Sequence, residues 1–151
     1  MRTVTIDQPD PMTDPQFYSG VALRRGFAWI VDTIAILIAS MVLVPLFGVV
    51  TLGLGFLFAP LVFLAVSVGY RTLTIARWSA TPGMAFFGIE MRTKQGTRFE
   101  MTDAFYHSAI HTGIFVTFIG QVATCILAVV TQKGQTIPDM ILGTAAINRP
   151  L

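Results

Sequence analysis

Charge is what this sequence has little of. Of its 151 residues only 12% are Asp, Glu, Lys or Arg, where a soluble domain carries about 25%. From Thr33 to Tyr70, 38 residues, there is no charged residue and no histidine, and from Thr112 to Gln132 there are another 21. Such runs exclude a water-soluble domain, because no side of the helices they form is decorated for water. Cysteine is nearly absent as well. The single Cys125 lies inside the last apolar run, which excludes an intrachain disulfide and any Cys-based zinc or redox framework. It reads as a small packed hydrophobe. No basic segment precedes an apolar core at the N-terminus, so no cleaved signal peptide is expected, and the first span is expected to act as an uncleaved insertion signal. There is no G-x-S-x-G, no phosphate-binding glycine loop, no H-E-x-x-H and no nucleic-acid module.

What is present is hydrophobic: 54% of the residues, with a mean hydropathy of +0.70. A helix needs about 20 apolar residues to cross the hydrocarbon core. The runs therefore predict an all-α integral membrane protein with three transmembrane helices. The first is expected over Leu23–Phe47, the second over Phe56–Ile75 with Pro60 in its first turns, and the third from Thr102 or Asp103 to about Thr131. Residues 1–20, acidic and proline-rich, read as a loosely ordered tail. Between the second and third helices, Ile89–Arg92 and Arg98–Met101 flank Lys94-Gln95-Gly96, which predicts a short cytoplasmic β-hairpin. Arg2, Arg24 and Arg25 before the first span, and five basic residues in the second loop, orient the N-terminus and that loop toward the cytoplasm. Three spans then leave the C-terminus outside. If Gly143–Asn148 pairs with the hairpin instead, residues 103–136 must turn back within the membrane, at Gly120, although 34 residues are few for two full spans.

Asp32 is the most informative residue, since a carboxylate inside a span is costly and faces protein or water. Arg25, Ala28, Asp32, Ala35 and Ala39 recur at helical spacing, and Ala35 with Ala39 forms a small-xxx-small pair suited to close helix contact. Asp32 is thus expected to point into the bundle. Arg25 is two turns away, about 10.5 Å along the axis, so Arg71 on the antiparallel second helix is the better-placed partner. An Asp32–Arg pair locking two helices is the structural reading; a proton- or cation-binding carboxylate is the functional one. Asp103, His107 and His111 form a polar stripe on the third helix. It reads as an interfacial face; a metal site would need further ligands that do not stand out.

Three segments carry a family resemblance. Arg25-Gly-Phe-Ala28-Trp-Ile-Val-Asp32 resembles the R-x-x-A-x-x-x-D opening of the RDD family of multi-pass membrane proteins. Ala80-Thr81-Pro82-Gly83 with Gly88-Ile89-Glu90-Met91 resembles its T-P-G-K-x-x-x-G-x-x-V segment, and Pro138-Asp139-Met140-Ile141-Leu142-Gly143-Thr144 resembles its H-D-x-x-x-G-T close. The order holds over residues 20–149, so residues 21–149 form the expected transmembrane domain. The resemblance implies that Arg25, Asp32 and Asp139 are the defining charges. Met84, Pro138 and His107 stand where the family has Lys, His and often Arg. It also implies either of two roles known in the family, membrane-complex assembly or Na⁺/H⁺ antiport. The expected function is a non-enzymatic structural or assembly component of the plasma membrane, with the lipid bilayer and a homo-oligomer or other membrane proteins as partners. The alternative is an oligomeric cation antiporter moving Na⁺ or H⁺ through an intramembrane Asp. The candidate polar site is Arg25, Asp32, Arg71 and Asp139, with no cofactor, metal ligand or nucleic-acid partner expected. For Asp139 alone, the neighbouring Pro138 and Gly143-Thr144 also fit a cap on a short helix starting at Met140.

Overall fold

The computed structural model describes residues 8–149. Helix α1 (Val21–Val50) and helix α2 (Ala59–Trp78) are antiparallel neighbours joined through a 3₁₀ turn, Leu54–Phe58. A short helix α3 (Pro82–Phe86) and strand β1 (Ile89–Arg92) follow, then α4 (Met101–Phe115), α5 (Phe118–Val130), α6 (Ile137–Leu142) and strand β2 (Ala145–Asn148). At 30 residues, α1 reaches about 45 Å, and α2, at 20 residues, about 30 Å, so either can span the hydrocarbon core. Helices α4 and α5, at 15 and 13 residues, meet at an angle of 119°. Among the described residues, therefore, two helices meet the requirements of a span, or three if the bent pair counts as one.

The continuous third helix expected from Thr102 to Thr131 is broken at Val116–Thr117 rather than near Gly120. Thr117 turns extended, and both its N–H and its hydroxyl donate to the carbonyl of Ile114, at 2.9 and 2.8 Å. Those bonds cap the end of α4 and release the chain in a new direction. No charged residue or histidine falls between Thr112 and Gln132 to mark the break, so hydropathy alone reads one helix.

The expected hairpin is corrected too. The turn is present, with Thr93 N–H donating to Thr97 O at 3.0 Å and the two threonine hydroxyls 2.7 Å apart. The returning segment then leaves the sheet. Phe99 drops into the core while its N–H donates to Ser79 Oγ at 3.0 Å, and Glu100 caps α4. The free side of β1 pairs instead with β2, antiparallel, Ile89 opposite Asn148 and Arg92 opposite Ala145. This brings the C-terminal segment to the same end of the bundle as the start of α1 and the α2–α4 connection. Of the expected loose tail, residues 1–7 lie outside the described residues; residues 8–20 are docked rather than loose. Gln8 donates to the carbonyls of Thr93 and Gly143, and Tyr18 packs against Ala145 and Ile147.

The core sits at that end. Val21, Ala28, Ile75, Met84, Ile89, Met91, Phe99 and Ala146 form one buried cluster. Further along α1 and α2 the large apolar residues point outward, Leu37, Met41, Leu46 and Leu61 among them. In the most apolar stretches of these two helices only 17% and 11% of residues are buried, the pattern of helices solvated by lipid rather than by one another. The contact between α2 and α4 includes small polar residues, Ser67 and Thr112, whose hydroxyls lie 3.5 Å apart.

Candidate functional site: two latches and a cavity

The buried face of α1 comprises Val21, Arg25, Ala28, Asp32, Ile36 and Ser40. Ala35 and Ala39 are more exposed than these. A straight helix of 3.6 residues per turn drifts away from a 3.5-residue stripe, so the seam passes to Ile36 and Ser40. Two charged residues remain on it, and each grips a different segment.

Arg25 grips the C-terminal segment. Its guanidinium lies 2.6 Å from Asp139 Oδ2 and also donates to Gly134 O and Thr136 Oγ1, both at 3.2 Å. Asp139 is fully buried. It accepts further bonds from Thr136 N and Oγ1 at 2.9 and 2.7 Å and from Thr144 Oγ1 at 3.0 Å. His107 Nε2 lies 2.9 Å from its other oxygen. Burial pushes the Asp139 carboxyl up, but the Arg25 charge and the hydrogen bonds from His107 and Thr136 outweigh it and hold the group well below the ordinary carboxylate range. An ionised carboxylate only accepts, so His107 presents an Nε2–H. Local sequence builds the receptor: Thr136 and Asp139 form a capping box on α6, and Gly143, at φ +68°, ends it. Asp139 is thus the third residue of that helix rather than the residue before its start.

Asp32 grips the segment after α2. Its Oδ2 accepts from Thr81 Oγ1 at 2.5 Å, and its Oδ1 from Gly83 N–H at 2.9 Å and from the Tyr70 hydroxyl at 3.0 Å. Thr81 also caps α3 by accepting from Met84 N–H. A Cβ on Gly83 would come within 2.5 Å of Ala28 O and 2.9 Å of the Asp32 carboxyl carbon. The glycine is what allows loop and helix to touch. The expected Asp32–arginine pair is not formed: neutral donors hold this carboxylate, and no arginine nitrogen lies within 4.0 Å of it among the described residues.

Arg71, expected to partner Asp32, is 6% exposed and has no carboxylate within 4.0 Å among the described residues; its Nε has no hydrogen-bond partner. It borders a cavity of about 850 Å³ between α1, α2, α4 and α5, together with Asp32, Arg25, His107 and His111. The stripe of Asp103, His107 and His111 is divided. Asp103 accepts from Glu100 N–H in the capping box of α4, His107 joins Asp139, and His111 faces the cavity. No group of three or more His, Cys, Asp or Glu is arranged to hold a metal among the described residues. Sequence reasoning missed His107 as the partner of Asp139. The one signal was that His107 occupies a position where a basic residue is usual in the resembled family, opposite an acidic one.

A helical membrane protein whose first helix fastens two later segments through buried carboxylates is the class these observations define. The chain belongs to the RDD family: the model of that family matches residues 20–143. No curated protein and no solved structure matches it.

Proposed function

We propose that this chain is a non-enzymatic structural or assembly component of a plasma-membrane complex. In this reading α1 and α2 are full spans, α4–α5 is a re-entrant pair, and the latched end faces the cytoplasm. The observation that carries it is how the carboxylates are used. Asp139 is held ionised by Arg25, His107, Thr136 and Thr144, and Asp32 is engaged by three donors of the chain. Groups fastened in this way are suited to holding segments together. The basic residues of the second loop support the orientation, and the outward apolar surface of α1, α2 and α5 suits lipid and neighbouring helices.

A second reading, oligomeric cation–proton antiport, draws on Asp32 bordering the large cavity. Cation-driven proton flux in proteoliposomes separates the two, comparing the protein with Asp32→Asn at matched insertion. Absence of flux from both is the expected result. Flux in the parent that vanishes in the variant would overturn the assembly reading and make Asp32 a transporting group.

A further inference from the structure

We propose that the cavity between α1 and α5 binds a single-chain anionic amphiphile, a long-chain fatty-acid carboxylate, with its head at Arg71 and its chain along α5. The side of α5 facing the cavity is small over its middle, Thr124, Cys125 and Ala128, with Gln121 and Val129 also in the wall. Its volume of about 850 Å³ falls in the range of roughly 300–1,000 Å³ typical of sites for small molecules, and its wall is predominantly apolar.

The polar groups in that wall select the head. Arg25 is committed to Asp139, and the oxygens of Asp32 to Thr81, Gly83 and Tyr70. What remains includes His111 and Gln121, which can accept as well as donate, and a set of unpaired groups. Arg71 Nε, Trp29 Nε1 and Thr124 Oγ1 are buried without a hydrogen-bond partner, and all three residues border the cavity. Arginine and tryptophan donate only, and a buried donor left unpaired is costly. The complement of a guanidinium with an indole N–H is an acceptor with negative charge. A carboxylate matches the guanidinium fork in two parallel bonds. A neutral alcohol supplies one weaker acceptor and no charge. The cavity opens between helices whose outer faces are apolar, so an amphiphile dissolved in the bilayer has a path to it.

The test is binding of radiolabelled palmitate to the purified, delipidated full chain in neutral detergent, with hexadecanol and an acidic diacyl phospholipid as competitors. The expected result is saturable one-to-one binding, with hexadecanol competing at least about tenfold less well, a difference of about 1.4 kcal/mol. Arg71→Gln should weaken binding by a similar factor, and Ala128→Phe, which puts a ring into the α5 wall of the cavity, should remove it. Equal competition by hexadecanol would overturn the proposal, and that comparison needs no variant. Parental affinity in a folded Arg71→Gln protein would do the same, as would displacement by the diacyl lipid at lower concentration than by unlabelled palmitate.

Discussion

Arg25 and Asp139 are 114 residues apart in sequence and 2.6 Å apart in space. That one contact closes the fold, tying the first turns of the first helix to the last short helix. Both groups are out of solvent, at 8% and 0% side-chain exposure, so removing either leaves the other buried without this charged partner. Arg25→Gln and Asp139→Asn should each lower stability by roughly 3–5 kcal/mol, as for other broken buried pairs. Thermal unfolding in detergent checks this. Since each variant breaks the same pair, the double variant should cost clearly less than the two singles summed; simple additivity would mean the two charges act independently.

The same latch gives a pH dependence whose sign follows from Asp139. Its folded carboxyl ionises more readily than the unfolded one. The stabilisation is therefore complete above the unfolded value, about 3.9, and is lost as pH falls through the folded value. The Asp139 contribution to the melting temperature should be flat from about pH 8 to about pH 5 and decline below about pH 4. Asp139→Asn should melt lower throughout and show a shallower acid limb. An unchanged acid limb in that variant would place the titration elsewhere.

The second latch predicts a contrast between two glycines. Gly83→Ala pushes a methyl group against Ala28 O and the Asp32 carboxyl, and overpacking of this kind costs about 1–3 kcal/mol. Gly26, on α1 between the two latches, is different: a methyl group added there would meet nothing within 4 Å. Gly26→Ala should be neutral or stabilise by about 0.5–1 kcal/mol through helix propensity. Paired melting curves of the two variants read the difference directly, and equal effects would mean that Gly83 is not held against α1.

Much of this was legible in the sequence because its signals are strong and local. Charge-free runs marked α1 and α2, Pro60 fell in the first turn of α2, and the single intramembrane carboxylate pointed inward, as its solvation cost requires. The partners were less legible. Asp32 looked like half of an ion pair, but the groups that satisfy it are a threonine hydroxyl, a tyrosine and a glycine N–H, types too common to stand out without coordinates. The break at Thr117 is decided by hydrogen bonds to Ile114, and composition is blind to those. The β1–β2 pairing joins residues more than 50 positions apart; the sequence admitted it as the alternative in which Gly143–Asn148 pairs with the hairpin, but a local hairpin with a sound turn was the simpler reading. Phe99 decided against that hairpin by burying its ring at the expense of strand alternation.

The return of the chain at Val116–Thr117 predicts the side of the C-terminus. β2 pairs with β1, and Asn148 Nδ2 donates to Gln16 O and Ser19 O at 2.9 and 3.0 Å. Both ends of the described chain thus meet at one end of the bundle. An uninterrupted third span would put them on opposite sides of the bilayer, about 30 Å of hydrocarbon apart, and no strand pairing or side-chain bond could form across it. Reporter fusions at the N- and C-termini should therefore report the same compartment, the cytoplasm by the placement of the basic residues. Thr117→Leu, which removes the hydroxyl bond to Ile114 O and favours a continuous helix, should weaken the turn without necessarily reversing the end, because β1–β2 pairing and the Arg25 latch still hold it. Combining Thr117→Leu with Arg25→Gln removes two of those restraints, and a C-terminal reporter should then begin to appear on the far side. Opposite compartments already in the parent protein would show that α4 and α5 cross as one span and that the strand pairing does not exist in the membrane.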